Sequence, residues 1–256
     1  MAVPASATFP ILSATPCYLN GDFSTPKDAK VSVLDRGFIF GDGVHEVVPA
    51  YNGKLSGFAQ HMTRLNRNHA ELRIANPLAS EQWRDIAHKL IAPYAHGTGD
   101  NKEKSNQLIY IQLTRGGAQR DHSMLPGLSP TVFVMVNSLT LPDAQQRKQG
   151  VACVSADDFR WEKAQIKCTS LLGAVFARQI SVDAGAVETV MFRGDALSEA
   201  AASNVWVVRD GKVSRPTSCC CHQRTRKSCP PRCSTVRRSE PENPAPSIRS
   251  CTPITS

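Results

Sequence analysis

What most limits the fold of this chain is the point at which its large apolar side chains stop. Residues 218–256 contain six Pro, seven Ser and six Cys but no Leu, Phe, Met, Trp or Tyr. With almost nothing to bury, that stretch cannot offset the entropy of ordering, and its composition predicts disorder. A core must therefore come from the residues before about Val213. Charge divides at the same place. Six Arg and one Lys against two Glu put +5 of the formal +8 into residues 218–256, which leaves +3 for the other 217 residues. An apparently basic protein thus becomes an ordinary domain with a basic tail. Lacking interleaved aromatics, the tail reads as electrostatically sticky, which gives no specific nucleic-acid partner. Its cysteines include three in a row, Cys219 to Cys221, without the paired C-x-x-C spacing of a zinc site. Residues 1–17 have no basic segment ahead of an apolar one, and no run approaches the roughly 18 apolar residues of a membrane span. The expectation is a cytoplasmic protein with no membrane partner.

Before about residue 214 the chain is well punctuated. Val31–Leu34 alternates like a strand, and three glycines within Asp35–Gly43 predict a shaped loop rather than a helix. Val44–Tyr51 reads as a strand closed by the hairpin dipeptide Asn52-Gly53. Phe58, Met62, Leu65, His69 and Leu72 recur at helical spacing over 58–74, and a second helix runs from 80 to about 94 with Ser80 as its N-cap. Strands follow at 108–114 and 131–137, around a loop carrying Arg115, Arg120 and His122. A polar linker is expected at 139–150. Beyond it come strands at 151–155, 187–192 and 204–208, a helix over 170–184, and a hairpin at Asp210-Gly211. Strands and helices in this order give an α+β fold in two lobes.

The chemistry concentrates in a few ordered motifs. The stretch Asp158 to Gly173 leaves a strand and enters a helix with Lys167 at the junction, and Leu197-Ser-Glu-Ala-Ala-Ala-Ser-Asn-Val-Trp206 follows. Earlier stand Asp35-Arg-Gly-Phe-x-Phe-Gly-Asp-Gly-Val-x-Glu-Val, His61-x-x-Arg-Leu and Leu113-Thr-Arg-Gly. Taken alone, Lys167 reads as a solvated surface lysine, as most lysines are, and Arg64 fits an exposed helix residue equally well. Together and in this order, the motifs resemble the fold-type IV (class IV) pyridoxal-phosphate aminotransferases, most closely the D-amino-acid aminotransferases, from about Tyr18 to Val213.

That resemblance implies a two-lobed enzyme with pyridoxal 5′-phosphate between the lobes. Lys167 matches the lysine that holds the cofactor covalently and moves the substrate proton. Glu199 matches the partner of the pyridine nitrogen, Arg64 the arginine of the phosphate, and Ser203 and Asn204 fall among the cofactor-binding positions. Arg120 with His122 matches a clamp on the substrate carboxylate, the feature that points to D-amino acids and 2-oxo acids as substrates; a solvated basic loop is the alternative. His45 stands where these enzymes usually carry a tyrosine, retaining a donor on a shorter side chain. Ala200 to Ala202 replace a Gly/Ser-rich run. Branched-chain aminotransferases and aminodeoxychorismate lyase share the fold but generally lack the Arg-x-His pair. The resemblance also implies a homodimer.

The implied organisation is an N-terminal lobe over 1–138, a linker over 139–150, a truncated cofactor-binding lobe over 151–213 and an aberrant tail over 214–256. The Gly-Ile/Val-Thr-Arg segment expected after Val213 has no counterpart in this sequence. A Leu run in CTG codons read one base late becomes Cys-Cys-Cys, so a shifted reading frame accounts for the tail; a genuine lineage-specific tail is the alternative.

Overall fold

A computed structural model describes residues 16–92, 106–161, 165–194, 196–209 and 211–214. The chain divides into two compact units. One runs to Thr140 and also takes in Lys167–Thr169; the other comprises Leu141–Ile166 and the chain from Ser170 onward. The proposed tail beyond Ser214, the first 15 residues and the end expected for the second helix near Tyr94 lie outside the described residues.

In the first unit, β1 (Cys17–Leu19) and β2 (Asp22–Ser24) form a short hairpin, and α1 (Arg36–Phe40) leads into β3 (Gly43–Tyr51) and β4 (Lys54–Leu55). Helices α2 (Phe58–Glu71) and α3 (Ser80–Ile91) come next, then β5 (Gln107–Thr114) and β6 (Thr131–Ser138). The strands make an antiparallel sheet in the order β2-β1-β6-β5-β3-β4. Directly opposed residues share a face. Val44, Glu46 and Val48 therefore line up with Leu113, Ile111 and Ile109, which line up in turn with Val132, Val134 and Val136. All nine are buried. Helix α2 packs on β3, and α3 on β1, β5 and β6, with Met62, Leu65, Trp83 and Leu90 buried in their turn. Burying each such large apolar side chain contributes about 1.5–3 kcal/mol. His45, Tyr110 and Gln112 belong to the opposite face by the same alternation.

Several local expectations are corrected. Val31–Leu34 forms no strand: Val31 and Val33 are exposed and pair with nothing regular. The Asp35–Gly43 loop contains one helical turn, α1, capped by Asp35 accepting from Gly37 N at 2.8 Å and ended by left-handed Gly41. Ser80 is the first helical residue rather than the cap; Ala79 precedes it, with its N–H donating to the Gln82 side chain at 2.8 Å. The hairpin at Asn52-Gly53 has positive φ at both residues, as the tight turn requires.

The second unit opens with a short helix, α4 (Ala144–Gln149), inside the expected linker, capped by Asp143. Strand β7 (Cys153–Asp157) runs parallel to β8 (Glu188–Arg193), with α5 (Leu172–Asp183) in the crossover, and β9 (Ala196–Ala200) is antiparallel to β8. Its small core is Val190, Phe192, Ala200 and Val205. A separate hairpin joins β10 (Val207–Arg209) to β11 (Lys212–Ser214), so the strand expected from Asn204 begins later.

Candidate active site

Strand β3 has one edge against β5 and the other covered only in part. Its far end is paired by β4 at Ala50 and Tyr51. At its near end the open edge is filled by Lys167–Thr169. His45 N donates to Lys167 O at 2.8 Å, Thr169 N donates to Gly43 O at 2.9 Å, and Cys168 bridges Val44. Thr169 Oγ1 adds a bond to Gly41 O at 2.8 Å. Gly43 is required here because a Cβ would lie 2.8 Å from Leu113 O. The lysine therefore stands on a backbone sewn into the main sheet, opposite His45 in register.

His45 is buried, and its Nδ1 lies 3.0 Å from Cys168 O. A carbonyl only accepts, so the ring proton sits on Nδ1. Burial, reinforced by the nearby Lys167 charge, pushes the imidazole down to about 4, which leaves it neutral at pH 7 with a lone pair on Nε2. The donor expected to reach substrate is thus committed to Cys168. Tyr110 stacks beside the ring at 5.7 Å between centroids, and its own hydroxyl donates to Gln112 Oε1 at 2.8 Å.

The next residue, Glu46, is fully buried under α2. It accepts from Arg64 through Nε at 2.7 Å and Nη2 at 2.5 Å, from His61 Nδ1 at 3.1 Å, and from Val47 N at 2.8 Å. Burial alone would raise its carboxyl, but the Arg64 and His61 bonds outweigh it and hold the group at about 2. Arg64 keeps 31% of its side chain exposed while its fork is aligned by this anion. In the sequence Glu46 stands only as part of a motif; a lone carboxylate within an otherwise apolar strand is the signal that marks it as a buried, paired charge.

The loop after β5 separates two kinds of arginine. Arg115 is buried, forked onto Asp42 at 2.7 and 3.0 Å and onto the carbonyls of Leu72 and Arg73, and Arg36 shares the same Asp42. These groups hold the loop in shape. Arg120 and His122 are exposed, and both lie against Phe40, the guanidinium 5.5 Å and the imidazole 5.2 Å from its ring centre.

In the second unit Glu199 sits on β9 with 38% of its side chain exposed, accepting from Arg160 Nη1 at 3.0 Å. Arg160 is in turn held by Asp158, which also accepts from Arg193 and Ser198 and is fully buried. Burial pushes the Asp158 carboxyl up, but these donors prevail and keep it at about 2. Ser203 donates to buried Glu188 at 2.6 Å, and Ala202 N reaches the same carboxylate. The Ser203 hydroxyl therefore closes a turn, with Asn204 half-buried beside it in sequence.

The amino-transferase class IV family profile matches residues 43–229. In sequence the chain is 36% identical over 202 residues to the D-alanine aminotransferase of Staphylococcus epidermidis, covering 78% of this chain and 68% of the relative. It is 35% identical over 197 residues to the D-alanine aminotransferase of Staphylococcus aureus, covering 77% and 67%. Among solved structures it shares its fold with the branched-chain aminotransferase of the archaeon Thermoproteus uzoniensis with norvaline, at a TM-score of 0.67 and 21% identity over 79% of this chain and 68% of that one.

Proposed function

This chain belongs to the class IV aminotransferase family, and from that premise we propose that it moves an amino group from a D-amino acid to a 2-oxo acid. The type pair is D-alanine and 2-oxoglutarate, giving pyruvate and D-glutamate, with pyridoxal 5′-phosphate as cofactor. Lys167 carries the assignment: the lysine of the family motif stands on backbone bonded into the edge of β3.

The donor set suits each part of the cofactor. A primary amine (Lys167) fits its aldehyde, a guanidinium (Arg64) its phosphate and a carboxylate (Glu199) its ring nitrogen. When bound, pyridoxal phosphate supplies an aldehyde that takes up the amino group and a ring that withdraws electrons from the substrate α-carbon. Lys167 Nζ would hold the cofactor at rest and would afterwards carry the α-proton. Arg64, already oriented by Glu46, loses little freedom on meeting an anion. Glu199, left partly exposed beside Arg160, would accept a hydrogen bond from the ring nitrogen in its protonated form. Arg120 and His122, aligned over Phe40, take the substrate carboxylate.

The same reading includes a homodimer, as the family resemblance implies, acting in the cytoplasm; among the described residues no helix is long and apolar enough to cross a membrane. We also hold that the residues after Val213 reflect a shifted frame, which leaves the 256-residue chain weak or inactive. The coding sequence around codons 212–220 tests that: a restored frame should encode the Gly-Ile/Val-Thr-Arg segment. Formation of pyruvate from D-alanine and 2-oxoglutarate tests the activity itself. Faster turnover of L-valine than of D-alanine would move the assignment to a branched-chain aminotransferase.

A further inference from the structure

We infer that His45 is a positioning residue for Lys167, its Nδ1–H holding the Cys168 carbonyl and so fixing the backbone that carries the lysine. The inference rests on Lys167 being the cofactor lysine. His45 grips the segment twice, through its main-chain N–H on Lys167 O at 2.8 Å and through its ring on Cys168 O at 3.0 Å. Both bonds come from one residue of a buried strand, and Tyr110 stacks on the imidazole from the neighbouring strand. The ring therefore has little freedom to turn. Around it lie the charges of Lys167, Glu46 and Arg64. In that setting a neutral ring with its proton on Nδ1 satisfies the carbonyl and leaves only an acceptor, Nε2, for any other neighbour. A donor to a substrate carboxylate is then missing at this position, and Arg120 with His122 must supply it.

Two substitutions separate anchoring from substrate contact. His45→Asn places an amide N–H near the site of Nδ1, whereas His45→Gln reaches toward Nε2 and abandons Cys168. Pyridoxal phosphate would be added to the full chain and the lysine adduct trapped with borohydride, with the rate followed by mass spectrometry of the Lys167 peptide. His45→Gln should slow trapping about tenfold, equivalent to about 1.4 kcal/mol, while His45→Asn stays within about twofold of the parent, the smaller loss expected when a bonded donor is kept. The Michaelis constant for D-alanine should change little in either. Unchanged trapping in both variants with a raised Michaelis constant would overturn the inference in favour of a substrate contact. If the parent itself traps nothing on Lys167, the 256-residue chain does not load the cofactor there, the outcome a shifted frame after Val213 predicts. In that case, or if the variants do not fold, 15N spectra of the parent's histidines still decide: a proton on Nδ1 of His45 supports the anchor, and a proton on Nε2 overturns it.

Discussion

Glu46 in the first unit and Glu199 in the second each pair with an arginine, yet they sit at opposite depths. Glu46 lies mid-strand with no exposed side-chain surface and takes four hydrogen bonds, whereas Glu199 is 38% exposed and its carboxylate is paired with Arg160. Depth decides what each can do. A carboxylate enclosed by its partners is spent on architecture, here the aim of Arg64, and one left half in solvent remains reachable by a ligand. The surroundings follow the same division. The first unit closes eight β-branched and leucine side chains, with Glu46 among them, under two helices. The second has a small core and leaves Leu172, Val175 and Phe176 of α5 exposed.

Removing each carboxylate should widen that contrast most. Glu46→Ala removes a fully buried carboxylate together with the four hydrogen bonds it accepts and should cost about 3–5 kcal/mol in urea denaturation. Glu199→Gln breaks a partly exposed pair and should cost about 1 kcal/mol or less. Equal losses would break the comparison.

Acid should expose the first unit in two separate windows. Both groups have folded values below their unfolded ones, so protons favour the unfolded chain and stability falls with pH. The His45 contribution is complete above about pH 6.5 and lost as pH falls to about 4. The Glu46 contribution is complete above about pH 4.5 and lost as pH falls to about 2. Each amounts to about 3 kcal/mol at most, since one pKa unit is worth about 1.4 kcal/mol. Denaturation midpoints across pH should show His45→Asn erasing the upper window and leaving the lower one.

The smallest effect on stability belongs to the exposed loop. Arg120→Ala should change the denaturation free energy by less than about 0.5 kcal/mol, while raising the Michaelis constant for D-alanine about tenfold through a lost charged hydrogen bond. A large destabilisation would show that Arg120 supports the first unit instead of serving substrate.

Elements whose period matched their burial were legible in the sequence: β5 and β6 and the helices α2 and α3, with the turn at Asn52-Gly53 and the nearly continuously buried β3 marked by their residue types. Val31–Leu34 misled because alternation reports only a possible face, and among the described residues it meets no strand, Leu34 O only accepting from Ala118 N in the loop after β5. The three-residue strands β1 and β2 were too short to announce a period. The motif around Lys167 singled that residue out as a candidate, but its place on the edge of β3 was not legible. That pairing joins residues more than 120 positions apart. For the same reason the bonds His45–Cys168 and Ser203–Glu188 were not legible in the sequence. A side chain's hydrogen-bond partner is set by tertiary structure, and in both cases a distant carbonyl or carboxylate claims the proton.

The most direct test of the account is borohydride trapping of pyridoxal phosphate on the full chain, followed by peptide mapping. A single modified lysine at Lys167 is expected, absent from Lys167→Ala, together with loss of pyruvate formation from D-alanine in that variant. A label on another lysine, with D-alanine turnover surviving in Lys167→Ala, would contradict it.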